Sequence, residues 1–459
     1  METTILLDTP TIMGAVTRNR ALPTESWVRS RALILGVIGG HGILGERGGL
    51  RKRQREKSIS DTDGVPWRPC AVADSSAHTL PTDLHPLYDS TFDCANPEGT
   101  MSAVIDCDAH ILEPANLWQT YLEPEFRDRA IRIEEVDGRE QLIIGDQIVL
   151  QGAVAGLGGA EADKTDLFSG KLSYRRDNPT DSFDGHARLA RMDEWGITKS
   201  VIFPTICILP FPTQDMPLAN AYCRAYNNWV HDFCSANPAR LFPVAVVNWR
   251  DVDEATRELE RCIRRGFRAL FVPPETIDGK RPGDRHFNRL WALCQAANIP
   301  ACFHVIVRFD GSAAPFGGWH TTSPGPVFSF GLGGAGQLMP AMASIITDQL
   351  IERFPKLKIV SVEAGCGYAP YLMDRLDAKF NALRKLTGLS KPPSEYIRSN
   401  CYFVAEQGER TIDAALAMVG SQNIVWGTDY PHIDALRVAD HLPTAWPQLT
   451  QNAERLFRI

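Results

Sequence analysis

No C-x-x-C pair occurs among the eleven cysteines of this 459-residue chain, and their count is odd. That scatter excludes a structural zinc knuckle and a stapled disulfide scaffold. Several cysteines sit inside apolar runs, which predicts reduced, buried thiols in a reducing compartment and so a cytoplasmic protein. No stretch approaches the length of a membrane span. Positive charge is not in excess either. The net charge is −7, which gives no reason to expect nucleic acid or an anionic membrane as partner. Hydrophobic residues at 44% and charged residues at 22% are ordinary for a globular protein.

Residues 1–100 differ from the rest. They hold a basic run from Arg47 to Lys57, then a Ser-, Asp-, Pro- and Thr-rich stretch to Thr100. Few apolar residues recur there at a helix or strand period. Such a segment cannot offset its ordering entropy, and disorder is expected. The apolar stretch Ala32–Leu44 resembles a signal core, but it starts late, behind Glu2, Asp8 and Glu25, and is Gly-rich. Met101 directly precedes the first predicted strand, so residues 1–100 read as an extension. Their alternative is a targeting or regulatory arm.

From residue 101 the pattern alternates. Strands are expected at Val104–Asp108, Ser200–Pro204, Phe242–Val247, Ala269–Val272, Ala301–His304, Lys358–Glu363, Cys401–Val404 and Ile424–Gly427. Helical runs lie between them, among them Asp253–Arg265, Arg289–Ala297, Met342–Phe354, Ala369–Leu386 and Thr411–Val419. Short buried strands alternating with helices predict an α/β fold, a (β/α)₈ TIM barrel over 101–459. Two surplus stretches, Ala115–Gly185 and Ile306–Gly336, follow strands one and five. Barrel active sites are built at strand C-termini, so both insertions read as lids or substrate walls.

The same strand ends carry the chemistry. Asp108 and His110 are two apart on one strand and point the same way. His304 ends the fifth strand, and Trp426-Gly427-Thr428-Asp429-Tyr430-Pro431-His432 ends the eighth. Carboxylate and neutral imidazole together suit one divalent ion, zinc or manganese. Asp108, His110, His304 and Asp429 are therefore the candidate ligands. His432 and His320 are candidate proton donors. Arg308 offers a bidentate fork to a substrate carboxylate. Phe316, Trp319 and Phe328 form either an aromatic wall or ordinary loop packing. Glu113 reads as a capping or rigid-loop residue, or as a contact to the site. Gly331-Leu332-Gly333-Gly334-Ala335-Gly336 fits a dinucleotide fingerprint, but no strand runs into it, so it reads as close packing or a hinge.

These motifs carry a family resemblance. Asp106 to Pro114, Arg188 to Ile197, Asn237 to Leu241, Phe354 to Gly365, Gly427 to His432 and Asn452 to Leu456 together resemble the amidohydrolase-2 family. That is the branch of the metal-dependent amidohydrolases that includes amino-carboxymuconate-semialdehyde and resorcylate-type decarboxylases. The resemblance implies a metal-dependent hydrolase or carboxy-lyase acting on a small aromatic carboxylic acid, amide or lactone. It implies Asp108, His110, His304 and Asp429 as ligands, Asp429 as the proton-transferring residue and a homodimer as assembly. This chain departs from the usual pattern twice. Strand one has Asp-x-His in place of His-x-His, as resorcylate-type members put a carboxylate first. Strand six ends in Glu363 where relatives often have histidine, so Glu363 is a further ligand, a base or a residue that orients an imidazole. The rival reading is a barrel that has lost its chemistry and serves as a binding or scaffold protein.

Overall fold

The computed structural model describes residues 103–459 apart from 153, 168–170, 210 and 308–325. The N-terminal segment, Arg308, Phe316, Trp319 and His320 lie outside the described residues.

The strands are β1 (Val104–His110), β2 (Arg132–Val136), β3 (Arg139–Ile144), β4 (Gln147–Gln151), β5 (Ile197–Phe203), β6 (Leu241–Ala245), β7 (Ala269–Val272), β8 (Ala301–His304), β9 (Ile359–Val362), β10 (Cys401–Ala405) and β11 (Ile424–Trp426). Eight of them form one parallel sheet in the order β1-β5-β6-β7-β8-β9-β10-β11. Each of the eight expected strands is present. Every residue of β1 is buried, as a strand covered on both faces must be. The helices pack outside. Gly185–Trp195 starts where the Asp184 side chain accepts from the backbone N–H of His186 and Ala187, and ends at Gly196 with φ 75°.

The barrel closes through side chains and loop backbone where β11 meets β1. Asp429 N donates to Asp108 O at 2.8 Å, and His110 N donates to Tyr430 O at 2.8 Å. The buried Asp106 carboxylate accepts from Thr428 N at 3.0 Å and Thr428 Oγ1 at 2.7 Å. Gly427 allows the approach. A Cβ there would lie 2.3 Å from Asp108 Cβ and 2.8 Å from Val404 Cγ1.

The two insertions take forms that periodicity did not reveal. The first contains an antiparallel sheet, β2-β3-β4. Its β2–β3 hairpin turns at Asp137 (φ 51°) and Gly138 (φ 75°), the pair of left-handed residues that a tight primed turn requires. In the second, the expected Met342–Phe354 helix is instead Pro326–Thr347, followed by the short Leu350–Arg353. The glycine-rich motif thus lies inside a helix. Gly334 explains it, since a Cβ there would sit 2.3 Å from Glu363 O. Glycine at that position lets the helix press on the end of β9. Among the described residues no helix is long and apolar enough to cross a membrane, and nine cysteines are free and buried.

Candidate metal centre

β1, β8 and the segment after β11 bring four predicted residues to one point. His110 Nε2 lies 3.2 Å from Asp108 Oδ1, 3.0 Å from His304 Nε2 and 3.5 Å from Asp429 Oδ1. His304 Nε2 lies 3.4 Å from Asp108 Oδ1. All four residues are buried. Asp429 has φ 57° and Glu363 φ 58°, left-handed backbone that is costly for a residue with a Cβ and clusters at functional sites.

The tautomers follow from the partners. His110 Nδ1 lies 2.6 Å from Pro204 O, and His304 Nδ1 lies 2.8 Å from Val305 O. A carbonyl only accepts, so both Nδ1 atoms carry hydrogen. Both Nε2 lone pairs therefore face each other and a carboxylate. Three electron-rich atoms this close repel unless a cation lies among them, and imidazole and carboxylate are the donors that borderline divalent ions take. The carboxyls respond to each other. Asp429 is pushed well above the usual carboxylate range by burial, then by the charges of Glu363, Asp434, Asp108 and Glu406. Burial and the Asp108 charge raise Glu363 in the same way. One divalent ion relieves this crowding, so the residues present fit a metal.

The amidohydrolase family model matches residues 105–459. This chain belongs to the amidohydrolase family. Gamma-resorcylate decarboxylase of Polaromonas sp. strain JS666 is 28% identical over 300 residues, covering 59% of this chain and 86% of that protein. An amidohydrolase structure from Mycobacterium avium subsp. paratuberculosis superposes with TM-score 0.64 at 23% identity, over 78% of this chain and all of that one. A dihydroxybenzoic acid decarboxylase structure from Polaromonas sp. JS666, with bound manganese and 2-nitroresorcinol, gives TM-score 0.53 at 20% identity, over 78% and 97% of the two chains. This amidohydrolase is accordingly an enzyme of the metal-dependent hydrolase or carboxy-lyase type, and its barrel is not a bare scaffold.

Around the centre of this amidohydrolase, His432 stacks its ring 3.9 Å from that of His110. Its Nδ1 lies 2.7 Å from Asp429 Oδ1 and its Nε2 2.9 Å from Thr205 Oγ1. The Thr205 hydroxyl donates to Ile111 O at 2.6 Å, so it accepts from His432 Nε2–H. One proton then remains for the 2.7 Å contact between His432 Nδ1 and Asp429. Among the described residues Glu363 Oε2 is shielded and has no hydrogen-bond partner, and it stands 3.4 Å from His304 Nδ1.

Two residues that the sequence reading did not assign support the amidohydrolase centre. Arg188, buried, donates from Nη2 to His110 O at 2.8 Å and from Nε to Asp181 O at 3.0 Å. Its guanidinium lies 5.3 Å from the Tyr430 ring centroid. Thr205 fixes the His432 tautomer. Arg188 opens the family-like stretch Arg188 to Ile197, but a lone arginine inside a helix gives no signal that it will be buried. Glu113 takes the capping role, because its carboxylate accepts from the N–H groups of Thr205, Ile206 and Cys207 at 3.1, 2.7 and 3.1 Å.

A cavity of about 150 Å³ opens on this site. Thr205, Glu363 and His432 line its polar side. Leu150 and Leu157 from the first insertion and Phe330 from the second wall it. Both insertions therefore shape the pocket.

Proposed function

We propose that this amidohydrolase is a metal-dependent, non-oxidative decarboxylase of a hydroxylated aromatic acid. The observation that carries the reading is the pair of Nε2 lone pairs, 3.0 Å apart, turned toward the Asp108 carboxylate. Asp108, His110, His304 and Asp429 would hold one divalent ion, manganese or zinc. The manganese in the Polaromonas decarboxylase structure supports manganese first. Bound there, the ion supplies Lewis-acid charge to a substrate carboxylate and a neighbouring oxygen.

The chain's own residues do the rest. The apolar walls strip water from the carboxylate and leave room for one ring. Asp429 holds the shared proton with His432 at the 2.7 Å contact. As the bond between ring and carboxylate breaks, that proton goes to the ring carbon and carbon dioxide leaves. Water then restores one proton to the Asp429–His432 pair, while Thr205 holds the His432 ring in place. Arg308 is the cation proposed for the substrate's acidic end. A reducing cytoplasm agrees with the free thiols, and a homodimer is the proposed assembly.

One observation favours a second reading, hydrolysis of an amide or lactone. Glu363 Oε2 has no hydrogen-bond partner among the described residues and could take a proton from an attacking water. Elemental analysis beside a carbon dioxide assay decides. Wild type should hold about one manganese or zinc per chain and release carbon dioxide from 2,6-dihydroxybenzoate. His304→Ala and Asp429→Ala should lose both, with activity down roughly a hundredfold or more. Metal-free wild type that takes up neither ion sinks the metal centre. Stoichiometric metal, together with turnover only of amides or lactones, transfers the assignment to hydrolysis.

A further inference from the structure

The mouth of the barrel holds a second, larger cavity of about 460 Å³ beyond the ends of β5, β6, β7 and β8. Ile208 lines both cavities. Ile306 and Val307, the second and third residues after His304, line the larger and the smaller one respectively. Gln337 clamps this partition, accepting from Ile306 N at 3.0 Å and donating to Ile306 O at 2.9 Å. Phe271 lines the larger cavity, and its ring centroid lies 5.7 Å from that of His304. Phe271 therefore stands between the larger cavity and His304 of the candidate metal centre.

Size and chemistry separate the two. Ligand sites usually span about 300–1,000 Å³. The smaller cavity falls below that range and the larger one within it. Phe211, Trp249 and Phe271 give the larger cavity aromatic surface, while Gln214 and Thr276 stand at its exposed edge. Among its described lining residues Arg250 is the one cation beside Glu275 and Asp278, which disfavours a second carboxylate. Flat aromatic faces favour another ring, stacked or edge-on.

We propose that the larger cavity is a distal subsite of the same active site, and that the substrate is a hydroxylated aromatic acid carrying a second, uncharged aryl group. This inference rests on the decarboxylase reading. The reacting ring occupies the smaller cavity, and the aryl group passes Ile208 into the larger one. Ile208 is then a specificity-determining residue, since its side chain lies between the two cavities.

Calorimetric titration of the manganese-loaded protein tests it, with salicylate and 5-phenylsalicylate as probes. Wild type should bind the phenyl compound at least about tenfold more tightly. Thr276→Trp and Gln214→Trp, both at exposed positions, should erase that advantage and leave salicylate affinity within about twofold. Equal affinities in wild type, or an advantage that survives both substitutions, overturns the proposal. Neutral 4-phenylphenol, titrated without metal, reads the larger cavity independently of the reaction. Its binding should be lost in the two variants, and absent or unaltered binding also counts against the subsite. If salicylate shows no metal-dependent binding, the decarboxylase reading fails, and 4-phenylphenol still decides whether the larger cavity takes an aryl group.

Discussion

Single residues at this site act through the protons and charges they hold. Glu113 is the clearest case outside the ligand set. Burial pushes its carboxyl up to about 7, against the three N–H donors that pull it down. The folded chain then binds that proton more tightly than the unfolded chain, whose value is near 4.5. Between those two values the folded state holds more protons, so stability falls as pH rises, by roughly 3 kcal/mol in all. The stabilisation is complete below the window and gone above it. Glu113→Gln should flatten this slope. Urea midpoints at about pH 5 and about pH 8 measure it, and an identical pH response in both proteins would refute the assignment. At this scale the clustering of the four candidate ligands was legible. Asp108, His110, His304 and Asp429 lie at or just past the ends of strands with metal-binding donor types, and they meet. Thr205 was not legible, because its role depends on a hydroxyl whose only hydrogen goes to Ile111 O.

At the scale of elements, the Pro326–Thr347 helix separates two kinds of glycine. Gly331 and Gly333 have nothing within 4 Å of a built Cβ, whereas Gly334 would strike Glu363 O. Alanine is the better helix former by about 1 kcal/mol. Gly331→Ala and Gly333→Ala should therefore stabilise the protein by about 0.5–1 kcal/mol. Gly334→Ala should instead cost about 1–3 kcal/mol through overpacking and displace Glu363. Chemical denaturation of the three variants checks this, and a neutral Gly334→Ala would mean that the helix can shift freely. Three glycines within four residues read as loop, so the helix was expected only from Met342. The β2-β3-β4 sheet was missed for another reason. β2 and β4 are largely exposed and alternate weakly, and only the Asp137-Gly138 pair marked a hairpin.

Across the whole molecule, metal binding and barrel closure are linked. The proposed ligands come from the first, fifth and eighth barrel strands, so an ion held by all four would tie together the seam between β1 and β11. An ion bound only by the folded state stabilises it by about 2.7 kcal/mol at a hundredfold excess over its Kd. Chelation should lower the melting temperature, and added manganese should raise it again. The His304→Ala variant should respond to neither. A melting temperature indifferent to both treatments in wild type would show that no ion bridges the seam.

The amino-acid sequence by itself determined the eight-stranded barrel, the order of its strands and the residue types at their ends, because strand period and donor chemistry are local properties. It also marked where the insertions fall. Only the tertiary structure decided the tautomers of His110 and His304, the shared proton of His432 and Asp429, and the burial of Arg188. Those depend on which carbonyl or hydroxyl the folded backbone brings within 3 Å, Pro204 O for His110 and the adjoining Val305 O for His304. The division of the barrel mouth into two cavities belongs to the same class, since Ile208, Ile306 and Gln337 are far apart in the chain and become one wall only when the barrel closes.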